Sequence, residues 1–158
     1  IRTDILQDGP EILIGVSWHS DSKRNKGAQK RTISLHKIAK VLAKPNVKLV
    51  SLQYGNVEQE IADVRKDLGI EVIQVPGIDN KEDLDGLVAI VSACDRIVSI
   101  GNVTVPLAGA IGKETHVLLP YSCDWRYGTK RNNSYWYDAV HLYRQSKLGD
   151  WDDIIKQL

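Results

Sequence analysis

The residues best suited to chemistry lie in one stretch late in the chain: Ser99-Ile100-Gly101-Asn102-Val103-Thr104-Val105-Pro106-Leu107-Ala108-Gly109-Ala110-Ile111-Gly112. An apolar run into Ile100 meets a turn of small residues, and a short Ala/Gly-rich helix follows. The first N–H groups of a helix lack internal partners, and its dipole favours negative charge at that end. The turn Gly101, Asn102, Val103 and Thr104 is therefore suited to a phosphate. Thr104 fits two roles, donating its hydroxyl to a phosphate oxygen or capping the helix. Pro106 lacks an N–H and is tolerated in a first helical turn.

A second set of residues follows the first apolar run. Ser17 and His19 stand at its mouth, and Lys23, Arg24, Lys26, Lys30 and Arg31 fill the polar loop beyond. Cations opposite a helix N-terminus suit a diphosphate. Most of these charges are expected to be solvated, with one or two used. His36, His116 and His141 are scattered without metal-ligand spacing, so no metal site is expected. The third set is Trp125, Arg126, Tyr127, Lys130, Arg131, Tyr135, Trp136 and Tyr137. Aromatic rings interleaved with cations either stack a base or sugar, or pack the loop onto the sheet edge or a further domain.

The elements that must position these groups alternate in period. Residues 12–18, 47–53, 70–75, 96–100 and 115–119 read as buried strands. Between them lie amphipathic helices. The first is capped by Ser34, with Leu35, Ile38, Ala39, Val41 and Leu42 inward. The second is capped by Asn56 and ended by Gly69. The third is capped by Asn80, with Leu84, Leu87, Val88 and Val91 inward. A loop over residues 120–143 precedes a last helix capped by Asp150. Strands alternating with helices predict a Rossmann-like α/β three-layer sandwich on a parallel five-stranded sheet, order 3-2-1-4-5. The ligand crevice of such a sheet lies where strands one and four diverge. The phosphate-suited turn and the basic loop both open there.

Composition sets bounds. The chain has 158 residues, enough for one domain spanning 1–158 with a sizeable core. Its 21 basic and 20 acidic residues leave a net charge of +1, with no global field for nucleic acid or an anionic membrane. No apolar run approaches the ~20 residues of a membrane span. Cys94 and Cys123 form no disulfide framework or zinc spacing, which fits a reducing, cytoplasmic setting. The sequence contains no Met, so the chain reads as a piece of something longer. G-x-G-x-x-G, the P-loop and G-x-S-x-G are all absent, which disfavours nicotinamide or flavin dehydrogenases, P-loop NTPases and α/β-hydrolases.

An ordered set of short motifs adds a family resemblance over residues 11–155. It runs Gly15-Val16-Ser17-Trp18, Arg31-Thr32-Ile33-Ser34-Leu35, Val50-Ser51-Leu52-Gln53-Tyr54-Gly55, Leu107-Ala108-Gly109-Ala110-Ile111-Gly112 and Leu118-Leu119-Pro120. It continues with Asp124-Trp125-Arg126, Trp136-Tyr137, Tyr143-Arg144-Gln145 and Gly149-Asp150-Trp151. Together they resemble the C-terminal, donor-binding half of bacterial GT-B glycosyltransferase-like proteins. That group is associated with tetratricopeptide repeats, is similar to heptosyltransferases and is distantly similar to O-GlcNAc transferase. The resemblance implies that Gly101 to Thr104 receive the diphosphate of a nucleotide sugar, that Lys23 or Lys30 neutralises it, and that Gln53 lies nearby. It implies that Pro76 and Gly77 lie near the base, and that transfer proceeds with inversion and without a metal or other cofactor. The acceptor site and catalytic base would belong to an N-terminal half, a repeat domain being the other expected partner. A face made to meet another domain would also suit pairing with a second copy. Two departures stand out: Gly101-Asn102 where the family turn has Asp-Thr, and Pro106 where it has His. The rival readings are a non-catalytic module of the same fold with a binding or assembly role, and an unrelated Rossmann-like nucleotide-binding domain such as a flavodoxin-like one.

Overall fold

The computed structural model describes residues 1–5, 11–20 and 31–158. Lys23 and Lys30 lie outside the described residues. In chain order the elements are α1 (Arg2–Ile5), β1 (Ile12–Ser17), α2 (Leu35–Leu42), β2 (Val47–Ser51), α3 (Glu58–Leu68), β3 (Val72–Ile73) and α4 (Leu84–Ala93). There follow β4 (Arg96–Ile100), α5 (Thr104–Ala110), β5 (Thr115–Leu119), a 3-10 turn at Trp125–Tyr127, β6 (Val140–Arg144) and α6 (Asp152–Ile155).

The strands form one parallel sheet of order β3-β2-β1-β4-β5-β6. The expected order 3-2-1-4-5 is present, but the sheet has six strands, not five. The sixth lies inside the stretch read as loop. Val140 to Arg144 pair in register with Thr115 to Leu119. Its run Val-His-Leu-Tyr-Arg alternates apolar with polar or amphipathic side chains, because β6 is an edge strand. The chain partly covers that edge itself: Leu142 N–H donates to Asn132 O, and Ser134 N–H to Val140 O. Paired backbone there removes an open edge.

Period-two alternation sorts the core onto two faces. Ile14, Val16 and Trp18 of the first run join Leu49, Val98, Ile100 and Leu118 beneath α2, α3 and α6. Leu13 joins Val50, Leu52 and Ile97 beneath α4 and Ala108 of α5. A smaller third cluster, Val105, Val117, Leu119, Tyr127, Val140 and Leu142, seats the 120–139 segment on the sheet edge. Gly15 is needed where β1 meets this packing. A Cβ there would stand 2.6 Å from Leu52 Cδ1 and 2.8 Å from Ile97 Cδ1.

Helix starts differ from the expected caps in instructive ways. Asn80 does not cap α4; Asp83 does, accepting from Gly86 N–H at 2.8 Å. Asp79 shapes the turn before it, accepting from Lys81 and Glu82 N–H, which leaves Asn80 outside the helix. Leu84, expected inward, is exposed at the first helical position. Ser34 stands at the α2 N-cap and offers its carbonyl, not its hydroxyl, to Lys37 and Ile38 N–H. Asn56 and Asp150 each accept from the N–H two residues on. Gly69 ends α3 in the left-handed conformation, φ 68°, as expected. Among the described residues no helix is long and apolar enough to cross a membrane.

Candidate functional site

At the carboxyl rim of the sheet, β1, β2 and β4 are tied by one side-chain network. Gln53 Oε1 accepts from Ser17 Oγ at 2.9 Å, Trp18 N–H at 2.8 Å and His19 N–H at 3.0 Å. Its Nε2 donates to His19 O at 3.0 Å and Tyr54 O at 3.3 Å. Asn102 Nδ2 then donates to Ser17 Oγ at 2.6 Å, while its Oδ1 accepts from Ser99 Oγ and Thr104 N–H, both at 3.1 Å. Ser17, Gln53, Ser99 and Thr104 are buried. A buried amide that fills its hydrogen bonds fixes the backbone around it. The structure thus brings Ser17, His19, Gln53, Asn102 and Thr104 together at one rim of the sheet.

The same contacts decide what the turn can offer. Asn102 Oδ1 takes the Thr104 N–H, one of the free donors at the start of α5. Tyr127 lies against Gly101, where a Cβ would stand 3.0 Å from its Cε2. Burial pushes the Tyr127 phenol up to about 12, so it is a neutral cover. Val103 is exposed. The turn keeps its place in the crevice, with one donor already satisfied by its own side chain.

His19 is held edge-on to Trp18 and Tyr54. Its Nε2 is 3.9 Å from Glu60 Oε1, and Glu60 Oε2 accepts from Trp18 Nε1 at 2.7 Å. Glu60 sits on the first turn of α3, and sequence reasoning missed it. A carboxylate on an early helical turn reads as a dipole partner, and nothing local marks its reach to Trp18.

Beside the network, at the ends of β2 and β3, opens a cleft of about 520 Å³. Gln53, Tyr54, Gly77, Asp79 and Asn80 are among its lining residues. Asn80 Nδ2 donates to Ser51 O at 3.3 Å and Gln53 O at 3.2 Å, and its Oδ1 has no partner among the described residues. Asn80 stands three residues before the Asp83 cap, and no spacing in the sequence marks its reach to β2. Gly77, at φ 79°, lines this cleft; Pro76 instead lines a separate hollow with Ile1, Ile5 and Ile73.

Trp125 and Arg126 do not join the cleft. They line a pocket of about 240 Å³ with Val105, Pro106, Tyr127, Ser134, Trp136 and Tyr137, on the α5 side. Arg126 is bound to Asp124, Nε to Oδ1 at 3.1 Å and Nη2 to Oδ2 at 3.4 Å. The Arg126 backbone N–H and its guanidinium hold the Asp124 carboxyl below its ordinary range. Among the described residues no three His, Cys, Asp or Glu side chains gather as a metal site.

No protein-family model matches the chain. Protein FlbA of Caulobacter vibrioides is 36% identical over 144 residues, covering 91% of this chain and 24% of FlbA. The chain thus spans about a quarter of that relative. The solved structure of a glycosyl transferase family 9 protein from Veillonella parvula superposes with TM-score 0.67 at 15% identity, covering 91% of this chain and 38% of that one. A structure described for EarP-mediated arginine glycosylation of elongation factor EF-P covers 75% of this chain and 40% of that one, at TM-score 0.43 and 13% identity. The fold is glycosyltransferase-like.

Proposed function

We propose that this chain is the nucleotide-sugar-binding domain of a GT-B type glycosyltransferase-like protein. The observation that supports it most is the cleft at the ends of β2 and β3, adjoining the Gln53–Ser17–Asn102 network. The cleft would take the nucleoside, with Gln53, Tyr54 and Asn80 among the residues around it. The diphosphate would lie over Gly101 to Thr104, neutralised by Lys23 or Lys30. Glycosyl transfer, with inversion and without a metal, would require an N-terminal domain to supply the acceptor site, orient the acceptor and exclude water. In a bacterial protein that domain, or a tetratricopeptide repeat region, would be the partner, and the setting cytoplasmic.

A second reading has one observation in its favour. Asn102 Oδ1 already occupies the Thr104 N–H, as expected of a turn that no longer receives phosphate. On that reading the domain serves in binding or assembly without donor chemistry.

Calorimetric titration with UDP, ADP, GDP and their sugars separates the two. The first reading expects one diphosphate to bind, and Lys23→Ala with Lys30→Ala to weaken it about tenfold or more, the worth of a charge-assisted hydrogen bond. Silence toward every diphosphate would leave the second reading standing.

A further inference from the structure

The pocket between α5 and the 120–139 segment is separate from the nucleotide cleft, and its chemistry differs. Two indoles border it, Trp125 at 77% exposure and Trp136 at 62%. Large rings left in water at the lip of a pocket forgo the burial that their area would reward. The floor is apolar, from Val105, Pro106 and the ring of Tyr127. Tyr137 is fixed in the wall because it packs against Gly109, where a Cβ would stand 2.5 Å from its Cγ. The pocket is therefore built by packed side chains.

Its volume, about 240 Å³, suits one ring and is too small for a nucleoside diphosphate. Its charge is the second discriminator. Among the described residues that line it, Arg126 is the cation, and Asp124 binds its guanidinium twice, so much of that charge is already paired. Arg126 does bring guanidinium donors to the wall, and Ser134 a hydroxyl that both donates and accepts. Vicinal hydroxyls, each both donor and acceptor, match such a fork. Apolar floor, ring faces at the lip and a largely paired fork together describe a ligand with one C–H face and a rim of hydroxyls.

We propose that this pocket is a subsite for a neutral pyranose, reached without nucleotide. It goes beyond the nucleotide-binding reading and stands independently of it. Trp125 and Trp136 supply the stacking faces, and Arg126 and Ser134 the hydroxyl contacts.

The test uses methyl glycosides of common hexoses, followed by tryptophan fluorescence and by ligand-observed NMR. Saturable binding in the millimolar range or tighter is expected, with at least one anomer preferred. Trp136→Ala and Trp125→Ala should each weaken it about tenfold, and Arg126→Ala comparably. Both indoles are exposed, so the variants should keep the wild-type circular dichroism and melting temperature. Lys37→Ala, on the far side of the sheet, should bind as wild type. The proposal is overturned if no methyl glycoside binds, or if binding survives both tryptophan substitutions. It is also overturned if sedimentation shows that the indoles hold a dimer which Trp125→Ala dissolves, or if a proline-rich peptide binds there and the glycosides do not. Titration of UDP, ADP and GDP on the same variants separates the two sites. Unchanged nucleotide binding beside lost glycoside binding is expected, whereas glycoside binding without any nucleotide binding would sink the nucleotide reading alone.

Discussion

The two cysteines differ in the environment that sets their reactivity. Cys94 is buried between β1, β4 and α4, and burial pushes its thiol up to about 12. Alkylation needs the thiolate, so at pH 8 Cys94 has neither the charge form nor the access. Cys123 is half-buried, and Arg144 Nη1 lies 2.8 Å from its sulfur. Iodoacetamide at pH 8 should label Cys123 in the folded chain and Cys94 only after unfolding, as read by mass spectrometry. Labelling of both at equal rates in the native chain would contradict this placement. The raised thiol also carries a pH dependence. It keeps Cys94 neutral when folded while an unfolded thiol ionises near 8.5. Stability contributed by the neutral thiol is therefore present below that pH and falls as pH rises through 8.5 toward 12.

At the scale of elements, Arg144 and Gly109 decide how the 120–139 segment is held. Arg144 donates to Tyr127 O and to Arg131 O, and contacts Cys123. Gly109 admits the ring of Tyr137 against α5. Gly109→Ala should displace Tyr137 and cost about 1–3 kcal/mol, the range for overpacking a fitted site. For a chain of this size each kcal/mol lowers the melting temperature by about 2–4 °C. Calorimetry and limited proteolysis of residues 120–139 check it; an unchanged melting temperature with unchanged cleavage would show that Tyr137 is not wedged there. These same residues explain what the sequence hid. The strands β1, β4 and β5 and the helices α2 and α3 were legible because their apolar periods are strong. The crevice was legible because Ser17 and the 101–104 turn end adjacent strands of a recognisable order. β6 was not, because half its side chains are polar or amphipathic and it follows a long irregular segment instead of a helix. Glu60 and Asn80 were not, because long-range pairing, not spacing, gives them their contacts. The split between cleft and aromatic pocket was equally hidden. Trp125 and Pro76 carry no local mark of which strand end they face.

For the molecule as a whole, the distribution of buried side chains predicts unequal local stability. The core beneath α2, α3 and α6 draws on β1, β2, β4 and β5 together. The cluster that seats β6 and the 120–139 segment is small, and among the described residues its buried anchors outside that segment and β6 are Val105, Val117 and Leu119. Opening β6 with its loop exposes that small cluster and Tyr143, which packs at the margin of the larger one, whereas opening β1 disrupts both faces of the sheet. Local opening scales with the apolar area exposed, so the β6 unit should open below the global unfolding free energy. Native-state hydrogen exchange in low guanidinium should then show two classes. Amides of β1, β2 and β4 should exchange only through global unfolding, with the full denaturant dependence. Amides of Val140 to Arg144 and of Ser134 should exchange earlier, with a smaller slope. The β2–β3 cleft and the Gln53 network belong to the first class, and the aromatic pocket to the second. A saccharide in that pocket should therefore slow exchange in β6 and in β1 alike, whereas a ligand in the β2–β3 cleft should slow β1 and leave β6 unchanged. One common exchange free energy across β1 and β6 would mean that the edge strand is as firmly built as the centre, and that the two sites share one cooperative unit.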